Sequence, residues 1–460
     1  MFTTVLGSIQ SKAPRRPVHS LVLWTGLTFF LVAASTYFLS QTRPAVDYFT
    51  HRQEEPAAAN RTNPLLTKEG IDQFVLDHAY PRLGEIVNFT GLHQLCNSTK
   101  WQPNVYFACN HNAGGLMNVR NMVLNCIRYA IAAGVSGLVM PQMEVRDPVD
   151  LRHLRTGEYQ SIGFLFDEPW LKEVMKENCG QMEVFDTIDD IPYSGYAMMP
   201  DLLNIQAIME QPRGTKHGML RNKKPWEFRS RFDKLIKSQK KRPTETSPVI
   251  VRLDDRTLFS FPPSFDPPSV LNSLGFTLDF RPDLSALANV IIDRVHKTLN
   301  ASGNDPYIGL HLRSEPDAGK YWATWDQLAN ATISTAMNNE IKLVYVASGD
   351  TDGVANLTGK AAESGIKILD KWNVLSDDEK EYLGPFRFDQ QAIVDYLALL
   401  RSDRFVGSGQ SSFSSQLLLR RELLANLTLT EEEKLAEPDN ASRDQLAGPG
   451  RLGYWDMDWP

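Results

Sequence analysis

The amino-acid sequence predicts an α/β fold with two Rossmann-like domains that face a cleft, preceded by one N-terminal transmembrane helix. Apolar runs of strand length alternate with segments of helical periodicity in residues 105–140, and the same alternation returns in residues 307–424. This alternation is typical of parallel sheets that are covered by helices on both faces. A charge-free apolar stretch near the N-terminus predicts the membrane helix. The predicted divisions are a cytosolic tail (1–20), a transmembrane anchor (21–41), a stem (42–70), an N-terminal domain (71–300), a C-terminal domain (301–430) and a C-terminal tail (431–460).

The membrane helix is predicted from Leu21–Leu39, an almost uninterrupted apolar run. At about 1.5 Å per residue, a helix of this length spans a hydrocarbon core of roughly 30 Å. Lys12, Arg15 and Arg16 precede the run without any acidic residue, which predicts a cytosolic N-terminus and a lumenal body. A cleaved signal peptide is the alternative, with a cleavage site near residues 33–35. Both alternatives place the body of the protein in the secretory pathway.

Sequons and cysteines indicate the same compartment. Asn-x-Ser/Thr sequons follow the apolar run and none precedes it. Their asparagines are Asn60, Asn88, Asn97, Asn300, Asn330, Asn356, Asn426 and Asn440. The cysteines suit two disulfides in an oxidising lumen, and three pairings remain open. They are Cys96, Cys109, Cys126 and Cys179.

The net charge and the spacing of cysteines and histidines argue against two classes of partner, nucleic acids and metal ions. The formal net charge of −7 argues against a nucleic-acid binder, which normally presents a basic face. A zinc site needs closely spaced cysteine or histidine pairs, and the sequence has none at such spacing. We therefore expect neither a nucleic-acid partner nor a bound metal.

The N-terminal domain is predicted from a strand at Val105–Cys109, a glycine loop, and a helix that begins at Leu116 and ends at Gly134. A second buried strand follows at residues 137–140. The glycines of the loop allow a ligand to approach the backbone, although close packing of helix on strand explains them equally well. The candidate ligand-facing residues of this turn are Gly114, Gly115, Leu116 and Asn118.

The C-terminal domain is predicted from strands at residues 307–312, 343–347, 366–369 and 404–406, with helices around residues 325–337, 354–363, 389–400 and 413–424. His311 and Arg313 lie at the end of the first of these strands. Because they are two residues apart, their side chains point to the same face of the strand. The guanidinium of Arg313 is a planar, permanently charged fork that suits a diphosphate. The alternative is an ion pair between Arg313 and Glu315 that only holds the loop.

A second candidate for anion binding is the segment 407–413, which connects a strand to a helix. Ser411 and Ser412 place hydroxyl groups at a helix start, where free N–H groups and the helix dipole favour an anion. Simple capping of the helix is the alternative. Because ligands of parallel sheets bind beyond the carboxyl ends of the strands, we expect one nucleotide diphosphate to meet both segments.

Four segments in this order resemble the GDP-fucose protein O-fucosyltransferase superfamily. They read GGLMNVRNMVLNCIRYAIAAGVSGLVMP, IGLHLRSEPDAG, LVYVASGD and LSDDEKEYLGPFRFDQQAIVDYLALLRSDRFVGSGQSSFSSQLLLRREL. The resemblance implies a GT-B type fold, with an acceptor-side N-terminal domain and a GDP-fucose-binding C-terminal domain. It also implies inverting, metal-independent transfer of fucose from GDP-fucose to a hydroxyl, with no cofactor besides this donor substrate.

The resemblance also implies roles for individual residues. Arg313 is the expected catalytic cation, holding the β-phosphate and neutralising the departing GDP. The expected donor-binding residues are His311, Arg313, Asp350, Ser411, Ser412 and Phe413, and those facing the sugar and the acceptor are Gly114, Gly115, Leu116 and Asn118. Asp395 matches a recurrent aspartate of the last segment and is expected to support the fold.

A catalytic base is less evident in the sequence. His111 is the candidate, since its ordinary pKa suits proton uptake near neutrality. Glu315 and Asp317 are rivals, and both are equally suited to positioning Arg313. Met117 and Val119 stand where the family often has polar residues, which predicts altered acceptor recognition.

The predicted protein is therefore a fucosyltransferase, anchored in the Golgi or endoplasmic reticulum membrane as a single-pass type II protein. It would act on a hydroxyl of a lumenal protein or glycan. Two alternatives remain, namely a transferase for another nucleotide sugar and a catalytically inactive, lectin-like or scaffolding relative.

Overall fold

The computed structural model describes residues 63–79, 83–109, 112–199, 224–253, 261–300, 303, 305–315, 318, 322–428, 444–448 and 459. The predicted transmembrane anchor and cytosolic tail lie outside these residues. Among the described helices, none combines the length and the apolar character needed to cross a membrane.

The first sheet is parallel and has the strand order β6-β3-β1-β7. Its strands are β1 (Gln102–Cys109), β3 (Val135–Val139), β6 (Glu183–Phe185) and β7 (Val249–Leu253). The central strand β1 pairs with β3 on one side and β7 on the other, so that Tyr106 lies between Gly137 and Ile250. Both strands predicted in the N-terminal domain are confirmed.

The second sheet is also parallel and has the order β10-β9-β8-β11-β12. Its strands are β8 (Ile308–His311), β9 (Leu343–Ala347), β10 (Lys367–Leu369), β11 (Arg404–Ser408) and β12 (Asp444–Ala447). Four of these strands lie where the sequence predicts them. The fifth, β12, comes from the segment predicted as a tail and pairs in parallel with β11. The predicted α/β fold with parallel sheets is therefore confirmed.

A small mixed sheet accompanies these two and was not predicted. It contains β2 (Asn112–Ala113), β4 (Gln142–Glu144) and β5 (Tyr159–Ser161), with β2 parallel and β5 antiparallel to β4. Because β2 directly precedes the glycine turn, this sheet fixes the approach of the chain to the long helix that follows.

Helices flank both large sheets. Those that precede β8 in the chain are α1 (Lys68–Asp77), α2 (Thr90–Ser98), α3 (Leu116–Ala133), α4 (Glu168–Asn178), α5 (Pro225–Lys237), α6 (Pro268–Leu274) and α7 (Pro282–His296). Those that follow β8 are α8 (Trp325–Asn338), α9 (Thr351–Ala362), α10 (Lys371–Val374), α11 (Asp377–Leu383), α12 (Phe388–Leu400) and α13 (Ser412–Thr428). All of these residues belong to one compact unit, in which α3 packs against α12 and α13.

Helix α3 is the central helix of the fold and is buried along nearly its whole length. It ends where predicted, because Gly134 adopts a left-handed conformation with φ of 63°. A Cβ atom at this position would lie 2.3 Å from the carbonyl oxygen of Lys100, so the close approach also requires glycine. Met117 and Val119 are fully buried in this helix. The departure of these two residues from the family pattern therefore lies in the core.

Two disulfides select one of the three possible pairings. Cys96 pairs with Cys179, with their Cα atoms 5.3 Å apart, and Cys109 pairs with Cys126 at 6.2 Å. The second disulfide joins the carboxyl end of β1 to α3, and therefore closes the glycine turn between them into a short loop.

Candidate functional site

The candidate site lies at the carboxyl ends of β8, β9 and β11, three neighbouring strands of the second sheet. His311 ends β8, Ser408 ends β11, and Asp350 follows β9 closely. A hydrogen bond of 2.8 Å joins the His311 ring at Nδ1 to the hydroxyl of Ser414 in the first turn of α13. The two segments that the sequence singled out therefore meet at one edge of the sheet.

His311 is buried and uncharged. Its pKa is lowered from 6.5 to about 3 because burial disfavours the cation and because Arg313 repels it. Its ring packs on Phe413, with 4.4 Å between ring centroids, and Phe413 makes an edge-to-face contact with Tyr396. His311 therefore acts as a neutral hydrogen-bonding and packing group at the base of the site.

We expect acidification to destabilise the protein through His311. Because its folded pKa lies below the unfolded value, the unfolded chain binds the proton more readily. The stability that neutral His311 contributes is complete above pH 6.5 and is lost as the pH falls toward 3. From pH 7.5 to pH 5 this loss is about 2 kcal/mol. Urea unfolding at both pH values should show a smaller loss for His311→Gln, and equal losses would contradict the buried neutral ring.

Arg313 is held by Glu315. Its Nη1 donates a 2.6 Å hydrogen bond to Glu315 Oε2, while Oε1 of the same carboxylate accepts from the Gly349 N–H at 2.8 Å. The guanidinium also lies over the ring of Trp322, 5.0 Å from its centroid. Glu315 is buried. Its Oε2 binds Arg313 directly, and its Oε1 holds the carboxylate in place through the Gly349 N–H. The ion pair that the sequence left as an alternative is present, and it positions the cation at the strand end.

Asp350 caps helix α9. Its Oδ1 accepts from the Gly353 N–H at 2.9 Å, and its Oδ2 accepts from the Ser314 hydroxyl at 2.7 Å. Ser314 directly follows Arg313 in the chain. Asp350 therefore joins the loop after β8 to the helix after β9 and shapes the wall of the site.

The start of α13 carries the predicted hydroxyl groups. Ser411 is buried and donates its N–H to the Ser408 carbonyl at 3.1 Å, and Ser412 is the first residue of the helix. Ser408 belongs to the predicted anion-binding segment 407–413, in which only Ser411 and Ser412 were singled out. Its hydroxyl is buried and has no hydrogen-bond partner in the part of the chain that the structure describes. An unsatisfied buried hydroxyl at a strand end is a position where a ligand would supply the missing partner.

The N-terminal side of the site is the glycine turn before α3. Gly115 caps the helix, and a Cβ atom there would lie 2.8 Å from Nη2 of Arg146. The Leu116 N–H at the helix start donates to Oδ1 of Asp389 at 3.2 Å. Asn118 lies in the first turn, and within the described residues its buried Oδ1 has no hydrogen-bond partner.

Asp389 and Arg146 are the principal residues that sequence reasoning missed. Asp389 lies in the first turn of α12, with Oδ2 3.1 Å from Nε of Arg146, whose guanidinium also lies over the Phe388 ring at 5.5 Å. Burial raises the pKa of Asp389, while the charges of Arg146 and Arg313 and the Leu116 N–H oppose this. The carboxylate thus connects α12 to the start of α3 within the electrostatic range of Arg313. No local pattern in the sequence signals this contact.

Other predicted residues fall outside the site or outside the described part of the chain. His111 and Asp317 are not among the described residues. Asp395 lies in a buried pair with Lys371 at 2.6 Å and accepts from the Tyr345 hydroxyl at 2.8 Å, which is a structural role as expected. The described residues contain no group of histidine, cysteine and acidic side chains suited to holding a metal ion.

A cavity of about 500 Å³ lies elsewhere on the second sheet. Its lining includes Pro306, Arg401, Asp403 and Arg404, which precede or begin β8 and β11. These are the amino ends of the strands, whereas ligands of parallel sheets bind at the carboxyl ends. The cavity is therefore separate from the candidate site.

Comparisons with known proteins agree with the resemblance seen in the sequence. Residues 106–329 match the family model described as GDP-fucose protein O-fucosyltransferase. A search of curated proteins gave no match. The family match confirms the resemblance to this superfamily.

Solved structures also align with the chain. POFUT1 in complex with GDP-fucose is 15% identical, with a TM-score of 0.43 over 71% of this chain and 95% of that chain. The fucosyltransferase NodZ from Bradyrhizobium is 13% identical, with a TM-score of 0.35 over 67% and 88% of the two chains. A variant of FUT1 from Arabidopsis thaliana in complex with GDP is 13% identical, with a TM-score of 0.34 over 76% and 75%.

Proposed function

We propose that this chain, whose residues 106–329 match the GDP-fucose protein O-fucosyltransferase family model, transfers fucose from GDP-fucose to a hydroxyl of a lumenal protein or glycan. In this proposal the transfer inverts the anomeric centre and needs no metal ion. In the same proposal the N-terminal apolar segment anchors the protein in the Golgi or endoplasmic reticulum membrane, and a GT-B type catalytic part lies in the lumen.

The observation that carries the proposal is the meeting of a fixed guanidinium and a hydroxyl-lined helix start at one sheet edge. Arg313 follows β8 and Ser412 begins α13, and the bond between His311 and Ser414 ties these segments together. A pyrophosphate lying there would receive charge from the guanidinium on one side. It would receive N–H and hydroxyl donors, with the positive end of a helix dipole, on the other.

The chemistry follows from this arrangement. The acceptor hydroxyl attacks the anomeric carbon of fucose, and the bond from that carbon to the β-phosphate oxygen breaks. The electron pair leaves with GDP, so negative charge develops on the phosphate. Arg313, pre-positioned by Glu315, stabilises that charge without a change of geometry during the reaction. In this proposal the guanidinium of Arg313 and the N-terminus of α13 together stabilise the charge that a divalent cation stabilises in other transferases.

The proton of the acceptor hydroxyl needs a base. Glu315 is committed to Arg313 and to the Gly349 N–H, so we assign its carboxylate to positioning. We propose His111 as the base, which precedes the glycine turn in the sequence, with Asp317 as the remaining rival. A neutral imidazole accepts a proton near neutral pH and returns it to solvent after transfer.

We expect His111→Ala to lower the turnover number for fucose transfer by about a hundredfold or more, since general-base catalysis contributes on this scale. The Kd for GDP should remain within about twofold of wild type. Initial rates from pH 5 to 9 should lose the acidic limb that belongs to the imidazole. An unchanged pH profile in the variant would assign the base elsewhere.

Donor identity is tested by calorimetric titration of the purified lumenal part with GDP and, separately, with UDP. We expect GDP to bind and UDP to bind at least a hundredfold more weakly. Preference for UDP would favour a transferase for another nucleotide sugar, and binding of neither nucleotide would favour a lectin-like relative.

A further inference from the structure

Trp459, near the end of the sequence, is completely buried against helix α3. Its indole N–H donates to Oδ1 of Asn125 at 3.0 Å, and its backbone N–H donates to Oδ1 of Asn121 at 3.0 Å. Its carbonyl accepts from Nη1 of Arg120, also at 3.0 Å. Three polar groups of α3 are thus engaged by a single residue.

The same arginine also joins α3 to α13. Nη1 of Arg120 reaches Oε1 of Gln416 at 3.3 Å, and Nε2 of Gln416 donates to the Met117 carbonyl at 2.8 Å. The other guanidinium nitrogen of Arg120 donates to the Gly275 carbonyl. Arg120 and Gln416 are both fully buried. We call Trp459, Arg120 and Gln416 the clasp.

The clasp lies one helical turn behind the two helix starts that form the candidate site. Arg120 is one turn after Leu116, the first residue of α3, and Gln416 is one turn after Ser412, the first residue of α13. The start of α3 carries the predicted sugar-facing and acceptor-facing residues, and the start of α13 carries the predicted donor-binding hydroxyls. Any shift between the two helices at the clasp therefore moves the two sides of the site relative to each other.

We propose that Trp459 is a positioning residue, which locks α3 against α13 and so fixes the spacing between the acceptor side and the donor side of the site. The effect on donor and acceptor rests on the proposed function, whereas the locking of the two helices does not. The sequence pattern around Trp459 predicts no role for this residue, and its contacts in the clasp assign one.

The chemistry of the contacts explains why tryptophan is required. Removal of the indole leaves a large cavity beside α3 and takes a donor from the buried amide of Asn125. It also loosens the backbone of residue 459, whose carbonyl is one of the acceptors of a guanidinium that cannot lose its charge. Phenylalanine fills most of the volume and lacks the donor, so Trp459→Phe separates the two contributions.

The test compares Trp459→Ala with Phe232→Ala in the full chain. Phe232 is a matched control because it is a large, fully buried side chain on α5, packed on Phe107. We expect both variants to lower Tm, and only Trp459→Ala to speed hydrogen exchange at residues 116–120 and 412–416. Its Kd for GDP should rise at least tenfold while that of Phe232→Ala stays within twofold. Unchanged exchange at the two helix starts, or equal acceleration in the control, would overturn the clasp.

A further variant keeps the test decisive if Trp459→Ala does not fold. Trp459→Phe retains most of the buried ring volume and loses the N–H that donates to Asn125, so it should show an intermediate rise in exchange at the two helix starts. Wild-type exchange in Trp459→Phe would contradict the proposed role of the indole N–H. If wild type binds no GDP, the proposed function fails, and the exchange measurements still decide whether the clasp exists.

Discussion

Replacing Arg313 by alanine is expected to lower the turnover number for fucose transfer about a thousandfold or more, with the fold retained. In the proposed reaction, negative charge appears on the β-phosphate as the bond to fucose breaks. The guanidinium of Arg313 is fixed for this charge by Glu315 and by the Trp322 ring. Since the stabilisation is largest in the transition state, turnover should fall more than GDP affinity. Arg313→Lys should recover only part of the rate, because a point charge replaces the planar fork.

The matched control is Arg421→Ala. Arg421 is as well buried as Arg313 and forms an ion pair of 2.8 Å with Asp444, at the opposite end of β11 from the candidate site. Its removal should reduce Tm while the folded enzyme keeps the wild-type turnover number. Steady-state rates with varied GDP-fucose, together with a melting curve for each variant, give the comparison. Wild-type turnover in Arg313→Ala, or an equal loss in Arg421→Ala, would reject the catalytic assignment.

Elements with a strong local signal were predictable from the sequence. Strand β9 was predicted residue for residue, because a short apolar run followed by polar loop residues has few other interpretations. The end of α3 was predicted from Gly134, which a left-handed turn requires. These features depend only on neighbouring residues, so a single sequence contains them.

Features that depend on contacts between distant segments were not predictable. Strand β12 carries little apolar alternation and becomes a strand only because its backbone pairs with β11. Arg146 lies in an irregular segment and meets Asp389 only when α12 packs on α3. The burial of Met117 likewise depends on how α3 packs against α13, which the sequence alone does not show.

The second large effect is expected from the ion pair of Asp389 and Arg146, measured as a double-mutant cycle with Asp389→Asn and Arg146→Met. Each single variant leaves one charge in a site where the side chains are only 6% and 11% exposed. Breaking such a pair should reduce the free energy of unfolding by about 3 kcal/mol. Asparagine retains an acceptor for the Leu116 N–H, and methionine retains contact with the Phe388 ring, so the cycle isolates the charges.

The double variant should recover most of this stability, and the reason lies in the pKa of Asp389. Burial raises that pKa against the pull of Arg146 and Arg313, so the desolvation of the carboxylate outweighs its attractions. In such a pair each charge mainly compensates the desolvation of the other. Replacing both with neutral groups removes the desolvation penalty together with the electrostatic attraction, so the net change in stability is small. Urea unfolding of the four proteins gives the coupling energy, and a double variant as unstable as the sum of the two single variants would show that the charges act independently.

Because Asp389 also offsets part of the Arg313 charge, GDP should bind the double variant at least as tightly as wild type. A selective loss of GDP binding would instead mean that the pair shapes the donor site directly.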